Sequence, residues 1–453
     1  MFSLTFLKEL TLRRPREAYV RFHYYAAFVE SIQGYYPNKE EDVELSSRLE
    51  FLDLHRNLFP NLKRVTVEAG GNEFWFPFPF RNHSVTDLSI NANVVPRGCI
   101  KHVSQYCSRL EHLTVTGLLN EVDIDLLQVH RFIHLKSLSL YVDDTQVDNF
   151  MRIVLFISSG LTDLTLHFRG NVIPTITRRG TSFQSLKRLK LDGLSLVADS
   201  LETLPSAPGL QSLSLTSCCS DVHTDDSIRK LCAALEEYHT RSPFTTLVVD
   251  GTPAKLGTIN SLDISKILDL SDNLKLIDIS LISGPSSKLL FRPLGHIAWQ
   301  HLQALTLIVG GSPYPELTLH QLLYIVSQAC SLEKVTARVD FRMEFNLGLI
   351  SRPVQGEDYR RVYNLLQDIL LYITPSLRTL DFCSSILLDH DQVFLFAVLK
   401  EMTPNVSLST RLLETLHWTN QETYNAAIKY VKQDRPTMVH LIAFLATRSP
   451  SSL

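Results

Sequence analysis

The stretch "HLKSLSLYVDD", residues 134–144, decides how this chain folds. Its leucines fall at 135, 138 and 140, with lysine and serines between them. The alternation at its end is the period of a half-buried strand, in which successive side chains point to opposite faces. One such string is common by chance, so its meaning depends on whether it recurs.

It recurs along most of the chain. Upstream stand "NLKRVTVEA", "SVTDLSINA" and "RLEHLTVTG", and downstream "GLTDLTLHF", "SLKRLKLDG" and "GLQSLSLTS". The first apolar position of these seven copies falls at 62, 85, 110, 135, 161, 186 and 210, close to one copy per 25 residues. Looser copies follow: "FTTLVVDG", "NLKLIDISL", "HLQALTLIV", "SLEKVTARV", "SLRTLDFCS" and "LLETLHWTN", starting at 244, 274, 302, 332, 377 and 413. The array therefore has about 13 repeats over residues 61–420 and is irregular after 215. A single strand cannot bury its apolar face, but stacked neighbours make one continuous core.

Between the strands the period changes. "DDTQVDNFMRIVLFISSG" places Val147, Phe150, Met151 and Val154 on one helical face, with Asp144 or Thr145 as cap. The same spacing puts Ile228, Leu231, Cys232 and Leu235 together, and Leu319, Leu322, Leu323 and Val326. A fourth set is Val362, Leu365, Leu366, Ile369 and Leu370. Strand, turn and helix in alternation predict an α/β solenoid, curved, with parallel strands lining its concave face and helices outside.

Composition narrows the function. The chain has 453 residues, 45% hydrophobic and 20% charged, with a net charge of -3. That balance is ordinary for a globular protein and gives no global basic field toward nucleic acid or an anionic membrane. Seven cysteines, at 99, 107, 218, 219, 232, 330 and 383, form no C-x-x-C pair, so neither a disulfide framework nor a zinc site is expected. No apolar run reaches the ~18 residues of a membrane span. The N-terminal "MFSLTFLKELTLRRPRE" is unlike a secretory signal. The expectation is a cytoplasmic or nuclear protein.

The strings resemble the leucine-rich repeat, L-x-x-L-x-L-x-x-N/C-x-L. The resemblance implies a right-handed leucine-rich-repeat solenoid. At the ninth position only Asn93 and Cys218 match, whereas other copies carry Gly70, Leu118, Asp143, Arg169 or Leu194. The side-chain ladder that satisfies backbone groups in the turn is thus patchy, as in the irregular repeats of F-box proteins.

The ends of the array read differently. Residues 1–60 contain "PREAYVRFHYYAAFVESIQGYY", where Tyr19, Phe22, His23, Ala26 and Val29 or Glu30 share related helical faces. "EDVELSSRLEFLDLHRNLFPNLKRV" is a second helix broken at Pro60. A helical N-terminal cap over the first core layer is expected, and helices over 421–453 cap the last one. "VRFHYYAAFVESI" and "LFPNLKRVTV" are also similar to the linker and first repeat of fungal F-box proteins with leucine-rich repeats. That family's repeats hold the substrate of an SCF-type ubiquitin ligase, while the F-box docks the ligase. No F-box-like segment precedes residue 15, so the docking surface is carried over to no residue here. The two expectations are a substrate-recognition component of such a ligase or a stand-alone scaffold outside it.

No catalytic constellation appears in the sequence: G-x-x-x-x-G-K-[ST], H-E-x-x-H, G-x-S-x-G and G-x-G-x-x-G are all missing. The expectation is a non-enzyme with no cofactor and no metal. "GTPAKLG", 251–257, reads as a turn. "NEFWFPFPFRN", 72–82, alternates Phe74, Phe76, Phe78 and Phe80 around two prolines, and reads as a loop packing its rings. Arg178, Arg179, Lys187, Arg188 and Lys190 gather in the sixth repeat, a pattern able to hold an acidic or phosphorylated peptide.

The candidate partner-binding residues are His112, Tyr141, His167, Arg188, Lys190 and Asp192. Each falls on a solvent-facing strand position, and neighbouring strands are about 4.8 Å apart. Around them the same face is floored by small hydroxyls such as Thr114, Ser139 and Thr165. The expected partner is a protein, not a nucleic acid or a membrane, bound by a monomer.

Overall fold

The structure, a computed structural model, describes residues 24–34, 59–67, 83–93, 103, 105–118, 132–143, 159–169, 182–193, 201–202, 204–216, 225–251, 261–263, 274–281, 288–290, 300–309, 317–339 and 375–382, then 405–410 and positions 361, 364, 399 and 403. The chain divides into two units, each of which stacks parallel strands in the manner of a leucine-rich-repeat solenoid. The first comprises residues 1–213 and 240–243, and the second the remainder.

In the first unit seven strands follow one another in sequence: β1 (Ser31–Gly34), β2 (Arg64–Val67), β3 (Asp87–Asn91), β4 (His112–Leu118), β5 (Ser137–Asp143), β6 (Asp163–Arg169) and β7 (Arg188–Asp192). Each pairs parallel with the next. The boundary between the units falls inside β8 (Ser212–Thr216). Every step is made in the same way. The carbonyl of the residue before one strand accepts two consecutive N–H groups from the next repeat, as Lys136 does from Thr162 and Asp163 at 2.8 and 2.9 Å. Glu30, Lys63, Thr86, Glu111 and Thr162 repeat the arrangement. These bonds fix the parallel register before the ladder proper begins.

The register stacks the core. Leu88, Leu113, Leu138, Leu164 and Leu189 form one rung line, and Ile90, Val115, Leu140, Leu166 and Leu191 the next. All ten are buried. Burying such side chains stabilises by roughly 1.5–3 kcal/mol each before chain entropy is subtracted, so each repeat depends on its neighbours for its stability.

The second unit holds α1 (Asp225–Arg241), whose last two residues fall in the first, and then β9 (Thr246–Gly251), β10 (Ser261–Asp263), β11 (Leu276–Leu281), β12 (Lys288–Leu290) and β13 (Ala304–Val309). After these come α2 (Leu319–Gln328), β14 (Lys334–Ala337), β15 (Thr379–Phe382) and β16 (Ser407–Thr410). The order β9-β11-β13-β14-β15-β16 is parallel throughout, and β10 pairs with β12 in a small sheet of its own. The helix α2 matches its periodicity. Leu319, Leu322, Leu323 and Val326 are all buried, and Thr318 caps it reciprocally with Gln321. Such a cap satisfies two otherwise orphaned N–H groups, and losing a cap residue costs about 1 kcal/mol.

Three features differ from the sequence reading. Residues 31–34, inside the stretch 15–36 read as helical, form a strand, and the helical turn described before it ends at Ala26. Pairing explains this: the Glu30 carbonyl accepts from Lys63 and Arg64, so β1 covers the edge that β2 would otherwise expose. The strand that follows β15 is Ser407–Thr410, upstream of the copy expected from Leu413. The position matching Leu377 holds exposed Asn405, so the apolar pattern misses it. Finally, the longer spacings after 215 accommodate β10 and β12, which the repeat pattern did not foresee.

Other expectations lie outside the described residues. They include the helix over 144–158, most of the helix over 357–372, the phenylalanine loop 72–82, Arg178 and Arg179, and the end segments 1–23 and 411–453.

Candidate functional site

The residues between the leucines form three rows on the opposite side of the sheet from the core. One row runs Arg64, Asp87, His112, Ser137, Asp163, Arg188. A second runs Thr66, Ser89, Thr114, Ser139, Thr165, Lys190, five hydroxyls ending on an ammonium. The third brings Tyr141, His167 and Asp192 side by side on β5, β6 and β7.

That third row begins at a bulge. The register shifts between Val115 and Leu118, and Gly117 turns the backbone there with φ +81°. A Cβ at Gly117 would lie 2.8 Å from Cγ of Asn93, so a side chain there would have to displace that asparagine as well as adopt the left-handed φ that glycine favours. Gly193, just beyond Asp192, is also left-handed at φ +78°, and a Cβ on it would run into the Phe168 carbonyl oxygen.

Within the third row the side chains join. The rings of Tyr141 and His167 stack with centroids 4.4 Å apart and planes 13° from parallel. His167 Nδ1 lies 2.8 Å from Asp192 Oδ2, and its Nε2 lies 3.4 Å from Ser139 Oγ in the second row. A carboxylate only accepts, so Nδ1 carries the proton that Asp192 receives. In the neutral ring Nε2 is then the acceptor, and the Ser139 hydroxyl donates to it. Tyr141 is 36% exposed, the only large hydrophobic side chain so placed among the described residues of β5–β7.

Arg188 is drawn into a different pairing. Its Nε donates to Asp163 Oδ1, and the Thr162 hydroxyl donates to the other carboxylate oxygen at 2.7 Å. Burial by itself raises the Asp163 carboxyl, but the guanidinium and the hydroxyl outweigh it and hold the group below the usual carboxylate range. The same contact raises Arg188 above its ordinary value. Lys190 is half-buried between the Arg188 and Asp192 positions of its own strand.

Of the six residues singled out in the sequence, Tyr141, His167 and Asp192 are brought into one contact chain. Arg188 and Lys190 flank it on β7. His112 stands apart on β4, exposed, in the first row between Asp87 and Ser137. Two participants lie outside those six: Ser139, read from the sequence only as part of the hydroxyl floor, and Asp163, read only as a neighbour of Arg188 and Lys190. Their signal was the repeat length, because residues about 25 apart are neighbours: 163 with 188, and 167 with 192.

In the second unit the corresponding positions include Asp278, raised by burial and by Asp250. Among the described residues no group of three His, Cys, Asp or Glu side chains is arranged to hold a metal ion. No helix among them is long and apolar enough to cross a membrane.

No family model matches this chain, and no curated protein is similar to it. Among solved structures it is similar to the crystal structure of a TLR13–ssRNA13 complex, at 11% sequence identity and a TM-score of 0.27. That match covers 81% of this chain, which spans 61% of the length of the other.

Proposed function

We propose that this chain is a binding module that takes a protein partner on the solvent rows of β5–β7. The observation that carries the reading is the joined row of Tyr141, His167 and Asp192, an exposed aromatic ring backed by a hydrogen-bonded pair. Aromatic side chains held rigidly on a polar floor are the usual anchors of protein interfaces, since they bury much area at little entropic cost. Arg188 and Lys190 beside the row add polar contacts, and Asp163 and Asp192 balance their charge. That balance favours a protein over the phosphate backbone of a nucleic acid, which selects for uncompensated lysine and arginine. His112 extends the surface toward β3.

The resemblance of "VRFHYYAAFVESI" and "LFPNLKRVTV" to fungal F-box proteins supports a more specific role. In it the chain acts in the cytoplasm or nucleus, as a monomer, as the substrate-recognition part of an SCF-type ubiquitin ligase. Affinity purification with mass spectrometry, comparing the wild type with Arg188→Glu/Lys190→Glu, tests both levels. Loss of specific partners from the variant is expected, and recovery of the same partners from both proteins overturns the assigned face. Co-purification of a cullin adaptor supports the ligase role. Its consistent absence leaves a stand-alone scaffold.

A further inference from the structure

The contact chain on β5–β7 has a second consequence, independent of any partner. Asp192, His167 and Ser139 are linked in the order carboxylate, imidazole, hydroxyl, at 2.8 and 3.4 Å. We propose that His167 is a general base for Ser139, making this hydroxyl a nucleophile that accepts an acyl group from activated esters or thioesters.

Three features prepare the imidazole. Asp192 fixes the proton on Nδ1, which leaves the Nε2 lone pair directed at Ser139. Tyr141 stacks on the ring and holds its plane. The group is also partly withdrawn from water, with the His167 and Asp192 side chains 19% and 28% exposed. A 3.4 Å contact is long for a hydrogen bond, but nucleophile–base pairs are often looser before a substrate arrives.

The step balances without any further reagent. Ser139 Oγ adds to the acyl carbon as the carbonyl π pair moves onto oxygen, and the hydroxyl proton passes to His167 Nε2. Collapse re-forms the carbonyl and expels the thiolate or phenolate, which takes that proton from His167. Ser139 is left as an O-acyl ester. Asp192 and Tyr141 touch neither reacting atom and are positioning residues. The strand N–H groups around Ser139 are committed to the ladders with β4 and β6, so no preorganised pair is left to stabilise an oxyanion. The reaction is accordingly stoichiometric acylation rather than rapid turnover.

Ser89 is an internal control. It occupies the same hydroxyl row two strands away, on β3, and the strand after it, β4, carries Thr116 where β6 carries His167. The full chain is treated with p-nitrophenyl acetate, and acetylation is followed residue by residue by peptide mass spectrometry. Ser139 is expected to acetylate on the order of 10²-fold faster than Ser89, with the advantage lost in His167→Gln. Asp192→Asn is expected to slow the reaction and to change the ¹⁵N shifts of the His167 ring as the proton leaves Nδ1. A merely structural role for Asp192 would leave that tautomer signature unmoved. Equal rates at Ser139 and Ser89 in the wild type, no acetylation of Ser139, or an undiminished rate in folded His167→Gln each overturn the proposal. The wild-type comparison holds even if a variant fails to fold.

Discussion

Asp192 stands one repeat beyond His167, 25 residues on in sequence, and its carboxylate lies 2.8 Å from the imidazole Nδ1. They meet because β6 and β7 pair in parallel with His167 opposite Asp192. The surface of the solenoid is composed in this way, by residues a repeat length apart. A change in strand register would therefore dismantle the candidate site without altering any of its residues.

Leu164 is buried between Leu138 and Leu189, whereas its neighbour Thr165 points to the solvent side. Leu164→Ala is expected to destabilise the protein by about 2–5 kcal/mol, the usual cost of emptying a core leucine site. Thr165→Ala should stay within roughly 0.5 kcal/mol. Urea denaturation of the two variants checks this, and similar losses from both would refute the assignment of faces.

Gly193 and Gly160 separate conformational need from mere smallness. Gly193 has φ +78° and no room for a Cβ beneath the Phe168 carbonyl, whereas a Cβ on Gly160 meets nothing closer than 3.6 Å. Gly193→Ala should lower stability by more than about 1 kcal/mol. Gly160→Ala should leave it unchanged or raise it by up to about 1 kcal/mol through the unfolded chain. Thermal melting of both variants gives the comparison, and the reverse order would show that the turn after β7 is not left-handed.

The Asp163–Arg188 pair predicts a pH dependence of defined sign. Burial opposes ionisation of Asp163, but the guanidinium and the Thr162 hydroxyl prevail, so the folded carboxyl lies below its unfolded value. Its contribution is then complete above the ordinary carboxylate pKa of about 3.9 and is lost as the pH falls through the folded value. The urea midpoint of the wild type should exceed that of Asp163→Asn most at neutral pH, and the gap should close in acid. A gap that does not vary with pH would remove the ion pair as its cause.

Cys107 and Cys330 differ in their surroundings. Burial pushes the Cys107 thiol up to about 12, while Cys330 is exposed. Since the thiolate is the reacting species, iodoacetamide near pH 8 should alkylate Cys330 and spare Cys107 until the chain unfolds. Mass spectrometry of the alkylated native protein reads the outcome, and early modification of Cys107 would mean that the core around Leu110 opens readily.

The even spacing from Leu62 to Leu210 was enough to establish strands, faces and core, because a period-2 apolar pattern admits one buried side. A separate helical period placed Leu319, Leu322, Leu323 and Val326 on the buried face of α2. The signal failed where pairing outweighed pattern. Ser31–Gly34 is a strand because Lys63 and Arg64 donate to Glu30, and Ser407–Thr410 is one although Asn405 stands in a leucine position.

Sequence alone thus determined a repeated coil with leucines inside and Tyr141, His167 and Asp192 outside, since periodicity is a local property of the chain. Tertiary structure decided what those outer residues do to one another. Hydrogen bonds and ring stacking are set by distances of a few ångströms between repeats, and these follow from register. Hence Arg188 is spent on Asp163, His112 stands apart, and Ser139 joins a histidine 28 positions away.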